Sequence, residues 1–187
     1  MGAGIIVLIV IGALLVLTAL YVVSVYNGLI TSKNRIEEAL ATMEAYLKKR
    51  YDLIPNLVET VKGYADHEKE TFTKVIEARN KVMSAVGFEE MSQSENILRD
   101  SLKSLFALAE SYPDLKANQN FMELQRELTK TEEDILQSRK YYNGVVKKYN
   151  TDIERFPNSM IAGAFRFEKK EYYKIDEESR ENVKVTF

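Results

Sequence analysis

Residues 5–26 read IIVLIVIGALLVLTALYVVSVY, and no ionisable side chain other than tyrosine interrupts them. As a helix rising ~1.5 Å per residue the run covers about 33 Å, which matches a bilayer hydrocarbon core of ~30 Å. A soluble core helix of this length would carry a polar stripe. The run is therefore expected to cross a membrane, with Ile5, Leu8, Ile11, Leu15, Leu20 and Val25 among its anchoring side chains. No Lys or Arg precedes it, no small-x-small site follows it, and it exceeds the roughly 7–15 apolar residues of a signal-peptide core. An uncleaved signal anchor is the expectation, with Tyr21 and Tyr26 at the headgroup level, where interfacial aromatics concentrate.

Working outward, the composition changes abruptly. All 26 Lys and Arg and all 28 Asp and Glu of the 187 residues lie at or beyond Lys33. Lys33, Arg35, Lys48, Lys49 and Arg50 follow the apolar run, so the positive-inside bias places the soluble part in the cytoplasm. A formal net charge of −2 argues against wholesale phosphate-backbone binding, and no nucleic-acid partner is expected. With no cysteine, disulfides, thiolate metal sites and cysteine nucleophiles are excluded. Three Pro and eight Gly suit long helices better than a loop-rich β fold.

Beyond the anchor, Leu29, Ile30, Ile36, Leu40, Met43 and Leu47 recur three or four residues apart, which predicts that the anchor runs on into a soluble helix. Pro55 marks either a break or a kink. After it, an apolar stripe from Leu57 to Val86 predicts a second helix, with Gly87 as its C-cap. Ser92 and Glu95 form a capping-box pattern ahead of a third helix through Ala109, which Tyr112 and Pro113 end. A fourth is expected from Asn120, capping with Glu123, to Phe156. Met160, Ile161, Ala162, Phe165 and Phe167 are expected to fold back onto the bundle end, although Phe165, Phe167, Lys169 and Lys170 also have the composition of an interfacial segment. The only strand-like stretch is the final VKVTF.

The architecture that results is all-α: a transmembrane helix over residues 1–31, an elongated antiparallel four-helix bundle over 32–167, and a partly disordered tail over 168–187.

Reactive chemistry is sparse. The lone His67 cannot furnish the paired Glu-x-x-His motifs of a diiron bundle. His67 and Glu68 lack the second histidine of a zincin helix, and no glycine-rich phosphate loop occurs. No enzyme activity, cofactor or metal is expected. Most carboxylates alternate with Lys and Arg at helical spacing, as on a solvated face, where each pair contributes ~0.2–0.5 kcal/mol. Nine polar residues instead lie on or beside the apolar stripes: Arg50, Asp52, Asn56, His67, Arg79, Gln125, Arg139, Asn143 and Asn150. Buried polar groups must be hydrogen-bonded, so these are candidates for an interhelical network fixing register, with a ligand or proton site as the alternative.

Several stretches carry a family likeness. KKRYDLIPNLVETVKGYADHEKETF (48–72), the anchor ending in YNGLI (26–30), RIEEAL (35–40), NFMELQRELTKTEEDI (120–135), YYNGVVKKYNTDIERFPNSMIAGAF (141–165) and EYY (171–173) together resemble the bacterial LemA family in order along nearly the whole chain. Leu40 stands where many members carry Trp, and Arg166-Phe167 where Gly-Phe is common. The resemblance implies an N-terminal membrane helix, a helical bundle and no established catalysis. It also implies that some members are encoded beside a membrane metalloprotease and that one relative acts in forming magnetosome membranes.

The leading functional expectation is a membrane-anchored scaffold or adaptor. Its partners would be lipid, through the N-terminal helix, unidentified membrane or cytoplasmic proteins, and further copies of itself. Membrane remodelling through the C-terminal apolar segment and regulation of a membrane metalloprotease are the alternatives.

Overall fold

The computed structural model describes residues 2–173, and every regular element among them is helical. The elements are α1 (Gly2–Lys62), α2 (Lys69–Ser84), α3 (Gly87–Glu110), α4 (Pro113–Lys116), α5 (Gln119–Glu154) and α6 (Asn158–Ala164). The all-α expectation and the long apolar N-terminal helix are both found. VKVTF and most of the 168–187 tail lie outside the described residues.

Helix α1 runs 61 residues without interruption, and Pro55 sits inside it. An interior proline removes the N–H that would bond the carbonyl four residues earlier, here that of Tyr51. The Arg79 Nε–H donates to the Tyr51 carbonyl oxygen at 2.8 Å, so the orphaned acceptor is satisfied from α2. The helix break allowed for at Pro55 is therefore absent. It comes instead at residues 63–68, where the predicted second helix is interrupted before α2 begins.

Two other boundaries also move. Gly87, at φ +82°, is the first residue of α3 rather than the cap of α2. A left-handed backbone is easily reached only by glycine. Ser92 and Glu95 lie inside α3; its N-cap residue is Val86, whose N–H donates to Glu90 Oε2 at 2.9 Å. At α5 the capping side chain is Asn118, whose Oδ1 accepts from the Phe121 N–H at 3.0 Å, in place of Asn120.

The chain forms two compact units. Of the described residues, 2–41 and 140–172 make the first, and 42–139 with Tyr173 the second. In the first, Leu29, Ile36 and Ala39 of α1, Tyr142, Val146, Tyr149 and Ile153 of α5, and Ile161 and Ala162 of α6 are buried. In the second, the interior is built from Met43, Leu47, Ile54, Leu57 and Val61 of α1, Phe72, Val75 and Val82 of α2, Leu98, Leu102 and Leu105 of α3, and Phe121, Leu128 and Ile135 of α5. These positions recur at three and four, so each helix turns one stripe inward, and each fully buried aliphatic contributes roughly 1.5–3 kcal/mol.

The N-terminal third of α1 is different. An 18-residue window there has a mean hydropathy of 3.1, and none of it is buried by the described residues. By length and composition it is a candidate membrane span. Ile5, Leu8, Ile11, Leu15 and Leu20 are all exposed, and Val25 is half-buried.

Candidate functional site

The second unit buries an ionic cluster among its aliphatic stripes. On α1, Leu47, Arg50, Tyr51 and Ile54 follow the spacing of one helix face, so the periodicity that buries Leu47 and Ile54 also buries the Arg50 guanidinium. On α3, Glu95 begins the stripe that continues through Leu98, Leu102 and Leu105. On α5, Arg139 lies four residues beyond the buried Ile135. These three charges converge.

Arg50 Nη2 donates to Glu95 Oε2 and the Tyr51 hydroxyl donates to Glu95 Oε1. Arg139 Nη2 reaches Glu95 Oε2 at 3.2 Å, and Arg50 Nη1 donates to Glu132 Oε1 at 2.8 Å. Arg139 also donates to the Tyr173 hydroxyl at 3.3 Å and lies 4.7 Å from the centre of its ring, whose edge meets Phe88 at 5.4 Å between ring centres. A single carboxylate thus ties α1, α3 and α5 together, and Arg139 with Phe88 holds Tyr173.

The electrostatics follow from burial. Burial works against a charged Arg50, but Glu95 and Glu132 outweigh it and hold the guanidinium above the usual arginine range. Burial, followed by the charge of Glu95, pushes the Tyr51 phenol well up, so it stays a neutral donor. The two Glu95 oxygens are taken by three interior donors, which suits fixing helix register rather than reacting with a substrate.

Of the nine polar residues singled out in the sequence, Arg50 and Arg139 meet in this cluster and Arg79 packs beside it through the Tyr51 carbonyl. Asn150 is buried in the first unit, where it pairs with the backbone of Lys170: its Nδ2 donates to the carbonyl and its Oδ1 accepts from the N–H, both at 2.9 Å. Tyr149 and Tyr142 donate to the carbonyls of Glu168 and Glu171 at 3.1 and 3.0 Å, so one face of α5 holds the non-helical strand of chain after Phe167. Asn143 is half-buried. Asp52, Asn56, His67 and Gln125 are exposed and lie outside the cluster, Asp52 pairing with Lys48 on the surface of α1.

Glu95, Glu132, Tyr51 and Tyr173 are the members that sequence reasoning missed. Glu95 carries a usable signal, since it stands three residues before Leu98 on the apolar stripe, but its spacing from Ser92 reads equally as a capping box. Among the described residues no group of three or more His, Cys, Asp or Glu side chains is placed to hold a metal. A groove along α5, lined by Met122, Gln125, Arg126, Thr129, Lys130 and Glu133, is open to solvent.

Comparison with known proteins gives the chain a lineage. Protein LemA of Metamycoplasma hominis is 27% identical over 141 residues, covering 73% of this chain and 63% of that protein, so the match stops short of two thirds of the relative's length. Magnetosome proteins MamQ 1 and MamQ 2 of Paramagnetospirillum magneticum are each 22% identical over 194 residues, covering 86% of this chain and 71% of theirs. The profile of the LemA family, which is not a known enzyme family, matches residues 39–187, and this chain belongs to the LemA family.

Proposed function

We infer that this protein is a non-enzymatic, membrane-anchored scaffold whose helical body makes contacts with other proteins or with further copies of itself. The observation that carries the reading is α1 itself, in which one unbroken helix bears both an uncovered apolar span and, at Arg50, a strut of the buried ionic cluster. Within the second unit, α1 from residue 42, α2, α3 and the first part of α5 are taken as a four-helix bundle with antiparallel neighbours, since the connections at 63–68, 85–86 and 111–118 are short. The exposed apolar side chains Met83, Ile97, Met122 and Leu136 offer contact area on its outside.

A photo-crosslinking residue at Met122 in the full chain, activated in native membranes and followed by mass spectrometry, should recover the same partner or an oligomer repeatedly. Recovery of uncrosslinked monomer alone would overturn the scaffold role. Membrane organisation is a second reading, supported by the likeness to two magnetosome proteins.

A further inference from the structure

We propose that the turn formed by Phe156 and α6 is a lipid-binding element that lies in the headgroup layer beside the anchor, with Phe156 and Met160 inserted at the acyl boundary and Arg155 and Arg166 on lipid phosphates. It rests on the reading of α1 as a membrane span and is independent of the scaffold role.

The argument begins with where α6 is fastened. The Tyr21 hydroxyl donates to Asn158 Oδ1 at 3.1 Å, and the Tyr26 ring lies 4.8 Å from Phe165 and 5.7 Å from Phe167 between centres. These contacts set α6 at the level of residues 21–26 of α1. Measured from Ile5 at ~1.5 Å per residue, that level falls about 24–32 Å along the span. A hydrocarbon core of ~30 Å ends within it. Whichever way the chain is oriented, α6 is then held at the membrane edge.

The side chains it presents there suit that place. Ile161 and Ala162 are buried against the protein, while Phe156 is 75% exposed, Met160 68% and Phe165 53%. Large apolar groups left so open between Phe156 and Phe165 are costly in water, at about 25 cal/mol per Å² of apolar surface, and are suited to the interface. Arg155 and Arg166 flank them, exposed and without an ion pair among the described residues. Apolar insertion with cations at the rim is the pattern of an interfacial anchor. A lipid surface is favoured over a protein partner because the element is bonded directly to the span, so the bilayer is already alongside it.

The chain has no cysteine, so single nitroxide labels can be placed in the full-length protein as Leu15→Cys, Phe156→Cys, Met160→Cys and Ser104→Cys. With the protein in nanodiscs of equimolar phosphatidylcholine and phosphatidylglycerol, collision rates with oxygen and with a water-soluble nickel chelate report depth. The Phe156 and Met160 labels should favour oxygen over the chelate several-fold more than the Ser104 label does, approaching Leu15. If Leu15 is in lipid and both other labels match Ser104, the proposal fails while the anchor stands. If Leu15 is also in water, the anchor reading falls and takes the proposal with it. Protection of Met160 from both reagents in native membranes, with free access in nanodiscs, would assign this face to a protein and overturn the lipid assignment.

Discussion

Glu95 shows what one misplaced charge would cost. Arg50 is 3% exposed and shares this carboxylate with Arg139 and the Tyr51 hydroxyl. Removing one partner of a buried pair leaves the other charge uncompensated, a loss of about 3–5 kcal/mol. Glu95→Ala should therefore destabilise the full-length protein in detergent by that order, and Glu95→Gln, which keeps an acceptor and the volume, by less. Urea titration checks both, and equal small losses would remove the cluster from the stability argument. Tyr51 adds a pH dependence. Its phenol is raised, so the folded state keeps a proton that an unfolded chain gives up above its ordinary pKa of ~10. The stability tied to it is complete below about pH 10 and falls as pH rises through the folded-state value. Unfolding midpoints followed from neutral to strongly alkaline pH should decline less in Tyr51→Phe than in the parent, and parallel declines would contradict the assignment.

At the scale of the element, Pro55 and Arg79 form one device. Proline leaves the Tyr51 carbonyl without its helical donor, and Arg79 supplies one from α2 at 2.8 Å. Losing a partner to a part-buried acceptor costs about 1–3 kcal/mol, so Arg79→Ala should lower stability by that amount. In a Pro55→Ala background the new alanine N–H can take the carbonyl, and the same substitution should cost measurably less. A double-mutant cycle by chemical denaturation reads this coupling directly. Additive effects would mean that Arg79 contributes only through packing.

For the whole molecule, sidedness decides which proteins the body can meet. The basic residues after the span, from Lys33 to Arg50, favour a cytoplasmic body. A cysteine placed at the exposed Ser104 should resist an impermeant thiol reagent in intact cells and react after permeabilisation. Labelling of intact cells would move the body, and every protein it can touch, to the other side.

The sequence by itself determined the apolar span, the all-α class, the inward stripes of each helix and the family, because all of these are recorded in local periodicity and in motifs read along the chain. Tertiary structure alone decided that α1 passes Pro55 unbroken, that Glu95 is a shared interior carboxylate rather than a cap, and that α6 is fastened to Tyr21 and Tyr26. Each of those depends on a partner tens of residues away: Arg79 for Tyr51, Arg50 for Glu95, Asn158 for Tyr21. Spacing within a helix says which face is buried. It does not say which distant side chain arrives to satisfy the polar group on that face.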